Sequence, residues 1–223
     1  MFTTHPEFEL PDDDAVLWRY LDLPRYLDLL IKEQLFFPCA SILEDPFEGM
    51  YRVNRQAFAA HGNPTLVISS WHHNTEENYA MWKIYAQGNA GLAIQTTFEH
   101  LKNSFHKTDK PVWIGKVKYY EEEHPPAMGD RLYAPFLHKR SVFAFENEVR
   151  CCYKPDAADS DYSWEEQDQL SGVFIPVDLS VLIDRIYISP YAPQWFRELV
   201  AGINKRFHIN KEIVHSGILD HGK

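Results

Sequence analysis

The sequence predicts an α+β fold: one domain of mixed or split β-sheets with short helices. Three observations predict it. Many short strands recur along the chain, joined by loops. The helices between them are short. Strands and helices do not alternate in the regular βαβ order of a doubly wound sheet, and there is no GxGxxG or P-loop.

The chain has 223 residues, enough to bury about 70% of its unfolded surface without a metal or disulfide staple. Residues 1–15 read as an acidic leader and 16–223 as the domain, with a surface loop at 155–171. It is a long loop of small and acidic residues, poor in aliphatic ones.

Each element rests on its own signal. Val16–Tyr20 is apolar and aromatic, a first strand. Pro24 suits a first helical turn, and Tyr26, Leu29 and Leu30 repeat at helical spacing, so Pro24–Lys32 is a helix. Leu35–Phe37 is a short strand. Asp-Pro and Gly make Ile42–Gly49 a loop. Tyr51–His61 reads as helical and Thr65–Trp71 as a strand. Glu76–Gln87 reads as a helix capped by Asn74 or Thr75. Gly91–Thr97 is a strand, Glu99–Phe105 a helix, Val112–Tyr120 a strand and Leu132–Lys139 a helix. Phe143–Tyr153 alternates as a strand, which puts Glu146, Glu148 and Arg150 on one face. Gly172–Pro176 and Ile183–Ser189 are strands. Pro193–Phe207 is a helix with a cap at Ser189 or Tyr191–Ala192, and Asn210–His215 is a last strand.

The net charge of −10, from 22 basic and 32 acidic residues, disfavours non-specific nucleic-acid binding, because an acidic chain repels phosphate backbones. A local basic groove stays open. The three cysteines, Cys39, Cys151 and Cys152, are odd in number, and adjacent strand residues point to opposite faces. Free thiols in a reducing compartment follow, so the expected location is the cytoplasm. No apolar run reaches the length of a membrane span. The N-terminus lacks the pattern of a signal peptide.

Five clusters carry chemistry-capable residues. In Arg19–Tyr20, a strand arginine could clamp a phosphate or carboxylate while the ring packs a base; an exposed edge arginine fits as well. Asp45 and Glu48 in a turn could bind a cation or a ribose, or bond local amides. Ser69-Ser70-Trp71-His72-His73 ends a strand, and its adjacent histidines are awkward ligands for one ion. No HxH or HExxH spacing occurs, so no metal is expected. Trp82 and Tyr85 sit at helical spacing and read as core or as an interface. The most specific cluster is Lys139–Arg140 followed by Glu146-x-Glu148-x-Arg150. Two neighbouring carboxylates repel, which raises one pKa and suits acid–base work; cross-strand ion pairs would use the same residues.

The ordered segments LWRYLDL (17–23), EDPFEG (44–49), ISSW (68–71), MWKIYAQGNAGLAI (81–94) and KRSVFAFENEVR (139–150) resemble the bacterial family known as domain of unknown function 2971. The resemblance covers about residues 16–215. That label implies no activity. The order strand-Arg, Ser-rich strand end, Glu-x-Glu is also similar to the Arg–Ser–Glu pattern of ADP-ribosyltransferases, whose fold is a split pair of sheets gripping NAD. That resemblance implies NAD as the substrate bound and an acceptor it does not name. It implies Arg19 on the NAD phosphates, beside Tyr20, and Ser69 or Ser70 at the nicotinamide ribose. It implies Glu148 as the catalytic carboxylate on the ribose 2′-OH and Glu146 as the group that activates the acceptor. The pattern's Ser-Thr-Ser is here Ser69-Ser70-Trp71. Two other functions suit the residues: a non-catalytic binding or regulatory module using Trp82–Tyr85, and a metal-assisted hydrolase using Asp45, Glu48, His72 and His73.

Overall fold

A computed structural model describes residues 1–39, 50–53, 56–59, 66–86, 88–124, 126, 132–156 and 172–220. The first elements are β1 (Val16–Asp22), α1 (Leu23–Lys32), β2 (Gln34–Pro38), β3 (Met50–Val53), β4 (Gln56–Ala59) and β5 (Val67–His73). Next come α2 (Tyr79–Tyr85), β6 (Gly91–Thr97), α3 (Phe98–Ser104), β7 (Trp113–Lys116), β8 (Lys118–Tyr120), β9 (His138–Arg140) and β10 (Glu148–Tyr153). The series continues with β11 (Gly172–Pro176), α4 (Leu179–Leu182), β12 (Arg185–Ile188), α5 (Gln194–Arg206) and β13 (Glu212–His215). The class is α+β, with split sheets and short helices, as the sequence predicts.

The chain divides into two compact units. One comprises Met1–Pro11, Leu35–Ser70 and Thr108–Ile175; the other comprises Asp12–Gln34, Trp71–Lys107 and Pro176–Lys223.

In the second unit β1 pairs antiparallel with β6 along its whole length, from Val16↔Thr97 to Asp22↔Gly91. β12 pairs antiparallel with β6, and β13 runs parallel to β12. On the other edge, Leu17 and Trp18 of β1 face His73 and His72. The alternation of β1 points Trp18 and Tyr20 at α2, where they meet Met81, Trp82, Ala86 and Ala93 in one apolar cluster. Asp22 ends the strand and starts α1, its carboxylate accepting the Arg25 N–H at 2.8 Å. Tyr26, Leu29 and Leu30 form the buried stripe of α1, and the Tyr26 hydroxyl donates to Asn204 Oδ1 of α5 at 2.7 Å. Gly91 is required where β6 begins: a Cβ there would stand 2.5 Å from the Ala86 carbonyl oxygen.

In the first unit β10 pairs antiparallel with β7, in the register Val149↔Lys116 to Cys152↔Trp113. β8 and β9 run parallel, with Tyr119 opposite Lys139. Phe8, Leu66, Ile68, Tyr133, Phe136, Leu137 and Cys152 make the core beneath them. None of the three cysteines forms a disulfide and all are buried, and burial pushes the Cys152 thiol up to about 12.

Several elements depart from expectation. Of the expected helix 51–61, the described residues 51–53 and 56–59 are strand: β3 and β4 make an antiparallel pair, Met50↔Ala59 to Val53↔Gln56. The short alternation Tyr51-Arg52-Val53 outweighs the helical spacing. Leu132–Lys139 is a single 3₁₀ turn, Ala134–Phe136, followed by β9. Pro135 supplies no N–H to continue a helix. The expected strand Val112–Tyr120 splits, because Val117 donates its N–H to Glu148 O at 2.9 Å while β8 turns to β9. Asn78, not Asn74 or Thr75, caps α2, accepting from the N–H groups of Ala80 and Met81. Pro193 stands before α5 with no side-chain cap. The turn with Asp45 and Glu48, and most of the loop 155–171, lie outside the described residues. Among the described residues no helix is long and apolar enough to cross a membrane.

Candidate functional site

The cluster with the densest chemistry lies in the first unit, around the start of β10. The sequence pattern places Glu146, Glu148 and Arg150 on one strand, but the chain is built differently. Ser141–Glu146 is a 3₁₀ helix, and the strand begins only at Glu148. Between them Asn147 adopts the left-handed conformation, with φ of 40° and ψ of 62°. Asparagine tolerates that region better than most residues. The kink returns the Glu146 side chain toward the one it precedes by two positions. Glu148 and Arg150, two apart on β10, share a face by ordinary strand alternation. The parallel pair β8–β9 brings Tyr119 and Lys139 to the same place.

The resulting contacts are close. Arg150 takes the Glu148 carboxylate in a two-toothed grip: Nε donates to Oε2 at 2.8 Å and Nη2 to Oε1 at 3.0 Å. Its third nitrogen, Nη1, donates to the Phe136 carbonyl at 2.9 Å, which fixes the guanidinium plane. Lys139 Nζ donates to Glu148 Oε1 at 2.9 Å and forms an ion pair with Glu146 Oε2. The backbone N–H of Glu148 donates to the Tyr119 hydroxyl at 2.9 Å. Glu146 and Glu148 are each 5% exposed and Arg150 only 1%. These are buried ions, each with an opposite charge in contact, as burial of charge requires.

The two carboxyls are driven apart in proton affinity. Burial pushes Glu146 up, and the hydrogen bond and negative charge of Glu148 push it further, to about 7 against the pull of Lys139. Burial would raise Glu148 too, but the Arg150 guanidinium, with Lys139, holds it well below the usual carboxylate range. One carboxyl thus stays ionised and aligned while its neighbour carries a proton that can leave near neutrality. This is the division of labour that acid–base and charge-stabilising chemistry uses.

The other predicted site residues are placed as follows. Ser69, on β5 of the first unit, is buried, and Ser70 is exposed. Arg19 and Tyr20, on β1, belong to the second unit. The Arg19 guanidinium stands over the Trp71 ring, 5.7 Å from its centroid. Tyr20 sits in an aromatic cluster, edge-on to Trp82 at 4.9 Å, and its hydroxyl accepts the Asn78 N–H at 3.0 Å. Its ring is therefore part of the packing beneath α2. Trp82 is fully buried in the same cluster, whereas Tyr79 and Tyr85 are exposed. His72 is buried and His73 half-buried. Among the described residues no three His, Cys, Asp or Glu side chains are grouped to hold a metal ion. The sequence pattern marks Lys139 only as a member of the charged cluster; its bridging position depends on the β8–β9 pairing. Tyr119 was missed, and no spacing signal pointed to it.

No family model matches the chain, that of the uncharacterised bacterial family included, and no curated protein matches it. The chain is similar to solved structures of DarT from Thermus sp. 2.9. For DarT in complex with NAD+ the identity is 12% over 92% of this chain and 96% of that one, with a TM-score of 0.45. For DarT in complex with ADP-ribosylated ssDNA the identity is 12% over 93% and 96%, with a TM-score of 0.47. For the complex with carba-NAD+ it is 11% over 93% and 97%, with a TM-score of 0.41.

Proposed function

We propose that this chain is an ADP-ribosyltransferase-like enzyme that consumes NAD, by transfer or by hydrolysis. The observation that carries the proposal is the carboxyl pair: an ionised, immobilised Glu148 beside a protonatable Glu146. Cleavage of the nicotinamide–ribose bond releases neutral nicotinamide and leaves positive charge on the ribose. A fixed carboxylate stabilises that charge without reorganising. The acceptor, water or a nucleophilic group of a macromolecule, loses a proton as its bond to the ribose forms, and Glu146 in its ionised form takes that proton.

The donor set suits NAD in its chemistry. Arg19 supplies planar cationic donors for a diphosphate. Ser69 and Ser70 supply hydroxyls for the nicotinamide ribose, and Tyr20 supports Arg19's strand from within the packing. The net charge speaks against unspecific binding to phosphate backbones and leaves a local acceptor site of any kind open. The acceptor panel therefore includes water, protein and single-stranded nucleic acid.

The test is release of nicotinamide from NAD, followed chromatographically, for the native chain and for Glu148→Gln. Folding of the variant is checked by urea unfolding. The expected result is turnover in the native protein and a loss of about a hundredfold or more in the folded variant, the range for removing one transition-state contact. Absence of NAD binding at millimolar concentration overturns the proposal.

A further inference from the structure

Lys139 is the residue of the cluster that touches both carboxyls. It stands on β9, and β9 and β8 both pack on the 3₁₀ helix that carries Glu146. The other charged groups of β9 are turned elsewhere: His138 Nδ1 is bonded to the Ala134 carbonyl at 2.7 Å, and Arg140 pairs with Glu122 at 3.7 Å. From β8, Tyr119 presents its hydroxyl to the Glu148 backbone, and Lys118 pairs with Glu9. From β10, Arg150 is committed to Glu148 and Phe136. The side-chain charges at Glu146 include the ammonium of Lys139 and the carboxylate of Glu148, with the Arg150 cation behind it. Lys139 Nζ also lies 4.7 Å from the centroid of the Phe143 ring, a second contact that holds the ammonium in place.

We infer that Lys139 is a positioning residue: its ammonium, shared between Glu146 and Glu148, eases the release of the proton that Glu146 carries beside the Glu148 ion held by Arg150. The argument is electrostatic. Arg150 fixes Glu148 as the ion. Glu146, beside that ion, would keep its proton to high pH if no cation faced it. Lys139 supplies that cation, so Glu146 can release its proton near neutrality. Arginine can replace the charge, and methionine can fill the space but not supply the charge. The assignment of Glu146's proton release to a reaction rests on the proposed function; the easing of that release does not.

The experiment is a carbon-13 NMR pH titration of protein labelled at the glutamate side-chain carboxyls. The resonance lost in Glu146→Gln assigns Glu146. In the native protein Glu146 is expected to titrate near 7, and in Lys139→Met about one to three pH units higher, as loss of an adjacent opposite charge requires. Lys139→Arg is expected to restore the native value. NAD turnover is read against pH in parallel, and its acid limb should move with the same resonance. A folded Lys139→Met with an unmoved Glu146 resonance overturns the inference. If that variant does not fold, the native titration decides: Glu146 titrating in the ordinary carboxylate range overturns it. A native Glu146 that titrates near 7 and moves in Lys139→Met supports it even without NAD turnover, and in that case the proposed function alone is rejected. Turnover with an unmoved resonance rejects this inference alone.

Discussion

Replacing Glu146 by glutamine removes a carboxyl whose charge changes near neutrality while keeping its shape and most of its hydrogen bonds. Unfolded, Glu146 titrates near the ordinary 4.5 of a free glutamate; folded, burial and the hydrogen bond and charge of Glu148 raise it to about 7. Between these two values the folded state holds a proton that the unfolded state has lost. The stability this contributes is present in full below about 4.5 and disappears as the pH rises through about 7. The difference of about 2.5 pH units, at ~1.4 kcal/mol per unit, sets a ceiling near ~3.5 kcal/mol. The range pH 5 to 8 leaves out the part lost below pH 5, and relaxation around the buried pair reduces the rest to about 1–2 kcal/mol. Glu148 moves in the opposite sense, its contribution being lost only as the pH falls below the ordinary carboxylate range, so it does not contaminate that window. The assay is urea unfolding at pH 5, 6, 7 and 8 at constant ionic strength, for the native chain and for Glu146→Gln. The two chains differ only at residue 146, so the difference between the two curves isolates Glu146. The native protein should lose about 1–2 kcal/mol more than the variant between the end points. Parallel curves would refute the reasoning.

Three further outcomes follow from other contacts. Arg150→Met strands the buried Glu148 charge and should cost about 3–5 kcal/mol in urea unfolding; adding Glu148→Met should recover part of that loss, and strict additivity in the double-mutant cycle would contradict the pairing. Gly91→Ala drives a methyl group to 2.5 Å from the Ala86 carbonyl oxygen and should destabilise by about 1–3 kcal/mol, read as a lowered thermal midpoint. Asp22→Ala removes the cap of α1 at a cost of about 1 kcal/mol, and Asp22→Asn, which keeps the acceptor, should leave stability nearly unchanged.

The local signals that were legible are those in which the residue's own chemistry fixes the outcome. Pro24 and the i, i+3, i+4 spacing of Tyr26, Leu29 and Leu30 define α1 almost to the residue. Gly91–Thr97 reads directly as the strand it is. What failed depended on partners. Whether Tyr51–Arg52–Val53 pairs or coils is decided by β4, and whether Val112–Tyr120 stays one strand is decided by the separate neighbours of β7 and β8. Neither partner is visible in a local window.

The carboxyl cluster shows the same division more sharply. Strand alternation correctly joins Glu148 to Arg150, since both lie on β10. It joins Glu146 to them for the wrong reason. In a continuous strand, carboxyls two residues apart would stand side by side with their repulsion relieved mainly by solvent. Instead the left-handed Asn147 separates them into two elements and folds one against the other, and that arrangement can be closed over because Lys139 arrives from a third element. A backbone kink at Asn147 is therefore what converts a pattern of surface charges into a buried pair with unequal proton affinities. The same charges on an unbroken exposed strand would have had no reason to differ from ordinary carboxylates.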